Sequence, residues 1–166
     1  MDLELVGEKD DVLRQQGAIC SFSNPEYNQQ LSEAMVSHML KHNGVGLAAN
    51  QVGIPARMFV MGETASNYRA CFNPEIVEYL GVKQKNVEGC LSFPHLALDI
   101  ERNSIILVRY NDALGNIIED ELTGLWARCF QHEFDHIEGI CFDQRVSKLA
   151  LNIALRKRAK TLKRIK

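Results

Sequence analysis

The sequence lacks the features that would place the protein in a membrane or a secretory route, and its net charge by itself indicates no nucleic-acid partner. No apolar run approaches the roughly 18 residues that a membrane helix needs. The acidic start, MDLELVGEKDD, contains no apolar stretch of the secretory type. The formal net charge is only −2, which predicts neither a DNA partner nor a membrane partner. We therefore expect a cytoplasmic protein.

Paired cysteine motifs are also absent. No Cys-x-x-Cys pair occurs, which excludes zinc ribbons and thioredoxin-like redox motifs. The cysteine count is five, and an odd number argues against a disulfide framework and for a reducing compartment. These cysteines are Cys20, Cys71, Cys90, Cys129 and Cys141.

Length and composition are those of one ordinary globular domain. The chain has 166 residues, of which 46% are hydrophobic and 24% are charged. Domains mostly contain about 100–150 residues, and a chain of this length buries about two-thirds of its unfolded surface. No repeat, low-complexity tract or linker interrupts the sequence. We expect a single domain that spans residues 1–166.

Turn signals and apolar spacing predict a helix, then short strands, then two more helices. The first helix is expected near residues 25–42, with Ser23 as its N-cap, Glu26 completing a capping box and Pro25 in the first turn. One broad face of this helix combines apolar residues with two histidines: Leu31, Met35, His38, Met39 and His42. Strands are expected at 57–61, 75–80, 96–101, 104–110 and 117–121, with a hairpin loop at 111–116.

The C-terminal part of the chain is predicted to be helical. A helix is expected at 125–138, ended by Gly139, and a basic amphipathic helix over about 146–166. The order of elements predicts an α+β fold with mainly antiparallel sheet.

Charge is unevenly distributed along the chain. Residues 145–166 contain nine of the 19 Lys and Arg residues and none of the 21 acidic residues. An acidic body with a basic tail indicates that the tail contacts an anionic partner, although a solvated helix face is the alternative.

The strongest chemical signal is the pentapeptide His132-Glu133-Phe134-Asp135-His136. Residues at i and i+4 share one face of a helix, so the two imidazoles can bind one metal ion. Glu133 follows the first ligand and can act as a general base towards water.

A catalytic zinc-type site needs a third protein ligand. No Glu or His occurs after Glu138, so the third ligand is Cys141, Asp143 or a residue further upstream. Upstream, Cys90 is the candidate, in the segment Glu88-Gly89-Cys90-Leu91-Ser92. A thiolate binds borderline divalent metals well, and a His₂Cys set leaves a fourth position free.

A third cluster, Gly44-Val45-Gly46-Leu47-Ala48-Ala49-Asn50-Gln51, follows the first helix. Its small residues allow a close approach of the backbone to a ligand or to another element. The pattern is neither a phosphate loop nor a dinucleotide motif, because neither signature is complete. Gln51 offers an amide donor within it.

Together, the three segments GVGLAANQ, EGCLS and HEFDH resemble the three ordered motifs of the peptide deformylase family. The resemblance extends from about Leu13 to the end of the chain. It implies an α+β fold with antiparallel sheets around the central metal-binding helix. It also implies that the protein removes the N-formyl group from formyl-methionyl peptides and releases formate.

The resemblance assigns roles to individual residues. Cys90, His132 and His136 would bind one divalent metal, usually Fe²⁺, with Zn²⁺ or Ni²⁺ able to substitute. Glu133 would be the general acid–base. The Gln51 side chain and the Leu91 backbone N–H would stabilise the oxyanion that forms during the reaction. The implied catalytic residues are therefore Glu133, Gln51 and Leu91.

Some substrate contacts can be inferred from helix spacing. Leu125 and Cys129 stand seven and three residues before His132, on the metal-facing side of the same helix. Together with Val45 they are expected to line the pocket for the methionine side chain, although core packing is the alternative for Leu125. The backbone of Val45, Gly46 and Gly89 would pair with the peptide like an added strand.

One departure from the family pattern is His95, which stands where Glu or Gly is common. Two other functional classes remain open: a zinc endopeptidase, and a non-catalytic relative that only binds peptides or the ribosome. We expect a monomer whose basic C-terminal helix contacts the ribosome.

Overall fold

The computed structural model describes residues 1–165 and contains three α-helices and five β-strands. The helices are α1 (Pro25–Lys41), α2 (Gly124–Ile137) and α3 (Lys148–Ile165). The strands are β1 (Gly46–Ala48), β2 (Met58–Thr64), β3 (Asn67–Cys90), β4 (Phe93–Asn111) and β5 (Ile117–Thr123). Short 3-10 helices lie at Asp11–Arg14, Ala49–Val52 and Phe142–Arg145. Lys166, the last residue of the predicted basic helix, lies outside the described residues.

The N-cap of helix α1 lies one residue later than predicted. Asn24, not Ser23, is the N-cap, because its side-chain oxygen accepts a hydrogen bond from the Tyr27 amide at 3.1 Å. The Ser23 hydroxyl instead lies 3.0 Å from that of Ser21. The predicted capping box is therefore wrong, while Pro25 occupies the first turn as expected.

The five strands form one antiparallel sheet in sequence order, which confirms the predicted α+β class. The predicted strand at 75–80 is part of the long strand β3, and the predicted strands at 96–101 and 104–110 merge into the long strand β4. The pairing of β3 with β4 shifts register at several bulges. Asn73 and Gly81, residue types that are common in turns, flank the predicted strand at 75–80. Both adopt left-handed backbone conformations, with φ of 47° and 65°. They bend β3 without ending it, as bulges commonly do.

Strand β2 packs against α1 on one face and against α2 on the other. Met58 and Val60 point to the apolar cluster that includes α1, whereas Phe59 and Met61 point to the cluster that includes α2. The side chains of β2 alternate between the two faces, so both faces must be apolar. The ring of Phe59 packs edge-on against that of Phe130 on α2, with centroids 4.9 Å apart. Helix α2 is thereby fixed on one face of the sheet.

Helix α3 packs on a third apolar cluster, which is built on β4. Leu151, Ala154 and Leu155 contact this cluster, and the Arg158 guanidinium binds the Glu8 carboxylate. The opposite side of α3 is open, with Leu149 and Ile153 exposed. Within the described part of the chain, no helix has the length and apolar character needed to cross a membrane.

Candidate active site

Three predicted metal ligands converge at one point of the structure. Cys90, His132 and His136 place their ligand atoms within 4.8 Å of one another. The Cys90 sulfur lies 3.2 Å from His136 Nε2, and the two imidazole centroids are 5.0 Å apart. The histidines stand one turn apart on α2, and Cys90 is the last residue of β3. The central helix and the sheet therefore form the cluster together.

This donor set fits a divalent metal of borderline softness. One sulfur and two imidazole nitrogens are the ligands that such ions prefer, and three protein ligands leave a position for a small molecule. Burial favours the neutral ring of His132, yet hydrogen bonds to Cys90 and Glu88 raise its pKa to about 10. Burial and the neighbouring His132 hold the pKa of His136 well below its ordinary value.

The two alternative third ligands lie elsewhere. The Cys141 thiol is buried in the cluster beneath α3 and donates to the Leu13 carbonyl at 3.6 Å. Asp143 accepts a hydrogen bond from Arg14 at 3.2 Å. Neither belongs to the group of ligand atoms found within residues 1–165, in which Cys90 is the third member.

Glu88 is a functional residue that the sequence motifs did not single out. Its carboxylate accepts a hydrogen bond from His132 Nδ1 at 2.9 Å, which leaves Nε2 of that ring free to bind the metal. Arg102 donates to both oxygens of Glu88 at 3.0 Å, and Arg128 donates to one at 2.7 Å. Although burial opposes ionisation, His132 and Arg102 lower the pKa of Glu88 to about 2. Glu88 is therefore ionised and fixed in place.

Asp135 extends this buried network to the far side of Arg102. It accepts a hydrogen bond from Arg102 at 2.6 Å and is also bound by Arg145. The network is nearly free of solvent, since Arg102 is 6% exposed and Asp135 is 5% exposed. Buried charges of this kind persist only when they are paired and hydrogen-bonded. The position of Asp135 within the histidine motif is the sequence signal that could have indicated it.

Glu133 lies beside the metal cluster in the wall of a cavity of about 590 Å³. Its side chain is buried, and its Oε2 has no hydrogen-bond partner within residues 1–165. Burial raises the pKa of Glu133 to about 7. A carboxyl group with a pKa near neutrality can both accept and donate a proton under physiological conditions.

Gln51 presents its amide nitrogen to the same place. Nε2 lies 3.4 Å from the Cys90 sulfur and 3.3 Å from the Ser92 hydroxyl. The amide oxygen of Gln51 accepts a hydrogen bond from the Ala48 amide at 2.9 Å, which fixes which end of the side chain faces the metal cluster. Ser92, which the motif analysis left without a role, helps to hold this orientation.

Gly46 is required by close packing in the cavity wall. A Cβ atom at this position would lie 2.4 Å from Glu133 Oε1 and 2.7 Å from the Cys129 sulfur. Both distances are shorter than real contacts allow. Strand β1, which sequence periodicity missed because it is only three residues long, thus brings the backbone directly against the Glu133 side chain.

The remaining predicted site residues also line the cavity. Leu125 and Val45 are 53% and 41% exposed, so they are not core residues and are available to a ligand, whereas Cys129 is buried. The cavity wall further contains Gly89, Leu91 and His95. All of the predicted substrate-binding positions are therefore brought together around one cavity: Val45, Gly46, Gly89, Leu125 and Cys129.

A His₂Cys cluster beside a buried carboxyl group, an oriented amide and an open cavity defines the active site of a metallohydrolase. Comparison with family profiles matches residues 3–152 to the profile described as polypeptide deformylase. The chain belongs to this family.

Individual relatives are similar over most of their length. A peptide deformylase of Thermotoga maritima is 45% identical over 136 residues, which cover 80% of this chain and 82% of the relative. A solved peptide deformylase of Synechococcus elongatus in complex with actinonin has a TM-score of 0.87 and 38% identity, and the match covers 95% of this chain and 86% of that one. A Met-Ala-Ser-bound class I type b peptide deformylase of Acinetobacter baumannii has a TM-score of 0.82 and 32% identity, over 88% and 99% of the two chains.

Proposed function

We propose that this protein is a metal-dependent hydrolase that removes the N-formyl group from the N-terminal formyl-methionine of nascent polypeptides and releases formate. The observation that carries this proposal is the convergence of Cys90, His132 and His136 with Glu133 and Gln51 at one cavity. The relationship to the deformylase family supplies the choice of the formyl group.

One divalent metal would be held by Cys90, His132 and His136. When bound, the metal supplies Lewis acidity, which polarises a carbonyl and lowers the pKa of water towards about 7. We propose Fe²⁺ as the metal in the cell, with Zn²⁺ or Ni²⁺ as functional substitutes. The thiolate–imidazole set supports such ions over Mg²⁺ or Ca²⁺, which prefer oxygen ligands. Elemental analysis of anaerobically prepared protein tests the identity.

Glu133 would transfer the proton that hydrolysis requires. Its carboxylate takes a proton from the attacking water and returns it to the amine that leaves when the formamide C–N bond breaks. The raised pKa of Glu133, about 7, makes both transfers feasible near neutral pH. Its buried position beside Gly46 limits competing contacts with bulk solvent.

Gln51 and Leu91 would stabilise the negative charge that develops on the formyl oxygen. The Gln51 amide is already oriented by Ala48 and Ser92, so little reorganisation is needed during the reaction. The Leu91 backbone N–H follows Cys90 directly and would be the second donor. Removal of one oriented donor of this kind typically costs about 3–4 kcal/mol of transition-state stabilisation.

The cavity wall would select methionine. Leu125, Cys129 and Val45 present apolar surface that suits an unbranched thioether side chain. The peptide backbone would pair as an added strand with Val45, Gly46 and Gly89, since main-chain hydrogen bonds are independent of sequence. This combination would accept many nascent chains while requiring the first residue to be methionine.

Formate release from formyl-Met-Ala-Ser tests the proposed reaction. We expect formate from this peptide and no cleavage of unformylated Met-Ala-Ser or of internal peptide bonds in longer peptides. Cleavage of internal bonds would indicate an endopeptidase. Binding of the formylated peptide without formate release by the metal-loaded protein would indicate a non-catalytic module.

We further propose that residues 1–166 act as one monomeric domain in the cytoplasm. The packing of α3 on the β4 cluster supports a single folding unit, and the five unpaired thiols suit a reducing compartment. Light scattering at micromolar concentration tests the monomer, and a single cooperative unfolding transition tests the domain.

A ribosome contact through α3 is the remaining proposal about partners. Because Leu151 and Leu155 face the domain, many basic side chains of α3 remain in solvent. These exposed residues are Lys148, Arg156, Lys157, Lys160, Lys163 and Arg164. They form a cationic surface that suits the phosphate backbone of ribosomal RNA.

A further inference from the structure

The histidines of this chain form two pairs of the same spacing. The chain contains five histidines. His132 and His136 belong to the metal cluster on α2, and His95 stands alone in the cavity wall. The other two, His38 and His42, lie at i and i+4 at the end of α1, and the proposed reaction does not use them.

The pair on α1 has nearly the same geometry as the pair on α2. The ring centroids of His38 and His42 are 4.6 Å apart with an interplanar angle of 51°, compared with 5.0 Å and 69° in the metal cluster. The His42 amide donates to the His38 carbonyl at 3.3 Å, so the last helical turn is closed and both rings project from one face.

One ring nitrogen of the His38–His42 pair makes no hydrogen bond among the described residues. Nε2 of His38 is buried and has no hydrogen-bond partner within residues 1–165. Burial and the nearby His42 and Lys41 lower the pKa of His38, which favours the neutral ring that metals bind. The carboxylate of Asp2 acts on the pKa of the same ring in the opposite direction, more weakly.

We propose that His38 and His42 form a second binding site for a divalent cation of the Zn²⁺, Ni²⁺ or Cu²⁺ type. Imidazole suits these ions, and two imidazoles at i and i+4 can bind one of them. His42 is exposed, so its ring can turn towards the buried nitrogen of His38 without disturbing the core. Water completes the coordination.

This second site lies at the edge of the substrate cavity. His42 and the neighbouring Asn43 line the cavity that also contains Glu133. A cation held by His42 would therefore add positive charge to the wall of the substrate cavity.

Metal binding by untagged protein tests the proposal. Protein loaded with one equivalent of Zn²⁺ is dialysed against Ni²⁺, and both metals are measured by elemental analysis. We expect about one retained Zn²⁺ and one added Ni²⁺ per chain. His38→Gln and His42→Gln should each lose the added Ni²⁺ and keep the Zn²⁺.

His95→Asn is the matched control, because it removes an exposed histidine from the same cavity, and Asn tolerates the left-handed backbone at that position (φ 62°). It should bind both metals like the unmodified protein. Absence of added Ni²⁺ in the unmodified protein, or its persistence in both the His38 and His42 variants, would overturn the proposal. Because His42 is exposed, its variant remains informative even if His38→Gln impairs folding. Electron paramagnetic resonance of added Cu²⁺ should also show imidazole nitrogen coupling that disappears in the His42 variant.

Discussion

Glu88 accepts a hydrogen bond from Nδ1 of His132 across 2.9 Å, while two arginines hold the same carboxylate from the other side. This contact determines which nitrogen of His132 faces the metal. Carboxylates in this position orient metal-binding histidines, and their loss typically lowers metal affinity 10–100-fold.

Glu88→Gln should therefore bind the metal more weakly. We expect about a tenfold or greater rise in the dissociation constant, together with lower thermal stability, because Arg102 and Arg128 lose their partner charge. Competition with a chelator measures the affinity. Glu78→Gln, at an exposed position of the same strand, is the control and should behave like the unmodified protein. Equal affinities in the two variants would remove Glu88 from its positioning role.

Cys90→Ala should abolish stoichiometric metal binding. The variant retains both histidines but loses the sulfur that lies 3.2 Å from His136 Nε2. Two imidazoles bind a divalent ion much less firmly than a set that includes a thiolate. Elemental analysis after dialysis gives the metal content, and the His42→Gln background is used throughout so that metal on the His38–His42 pair is not counted. Cys20→Ala should retain one equivalent, because Cys20 lies at a separate pocket. A full equivalent in the Cys90 variant would refute its assignment as a ligand.

Glu133→Ala should retain the metal and lose almost all turnover. The side chain is adjacent to the ligands but supplies none of the three ligand atoms. General acid–base catalysis contributes about 10²–10⁴-fold, so we expect a loss of this size in kcat/KM for formyl-Met-Ala-Ser. Glu121→Ala, at an exposed position of β5, is the control. Activity within about tenfold of the unmodified protein would rule out the proposed role of Glu133.

The sequence predicted the helices and the metal cluster better than the sheet. Two imidazoles at i and i+4 must share a helix face, so His132 and His136 could be paired from spacing alone. The exclusion of a downstream Glu or His made Cys90 a candidate, but only the fold brings it to α2 from 42 positions upstream in the sequence.

The missed features depend on contacts between distant parts of the chain. Glu88 gains its role only because β3, β4 and α2 bring Arg102, Arg128 and His132 around it. No local periodicity records such a network. Similarly, Asn73 and Gly81 look like strand ends, whereas pairing with β4 continues through both bends. Long-range pairing outweighs the local turn preference there.

The Glu8–Arg158 pair should stabilise the docking of α3 in a pH-dependent manner. The hydrogen bond from Arg158 lowers the pKa of Glu8 from its ordinary value of about 4.5. A carboxyl group whose pKa is lowered by folding contributes stability above its unfolded pKa, and this contribution disappears as the pH falls through the folded value.

Glu8→Gln should accordingly be less stable than the unmodified protein at neutral pH, by up to about 1 kcal/mol because the pair is partly exposed. The difference should shrink below about pH 4.5, as Glu8 becomes protonated in the unmodified protein. Urea unfolding at several pH values measures it. Glu4→Gln, at an exposed neighbouring position, should show no such difference. A constant difference between Glu8→Gln and the unmodified protein at all pH values would contradict an electrostatic origin.

The exposed basic side of α3 should determine ribosome binding. Truncation before Leu151 is a poor test, because it would uncover the apolar cluster that Leu151 and Leu155 cover. Combined replacement of Arg156, Lys160 and Lys163 by Gln leaves that packing intact and removes three positive charges.

We expect weaker co-sedimentation with ribosomes and a smaller dependence of affinity on salt, since each lost phosphate contact lowers the slope of log affinity against log salt by about one. Activity on a free formylated tripeptide should be nearly unchanged, because these side chains do not line the cavity. Replacement of the exposed Lys41, Lys83 and Lys85 by Gln removes the same charge from another surface and should leave co-sedimentation close to normal. An equal loss in both triple variants would indicate attraction by overall charge, and no loss in the α3 variant would leave its basic residues as a solvated face.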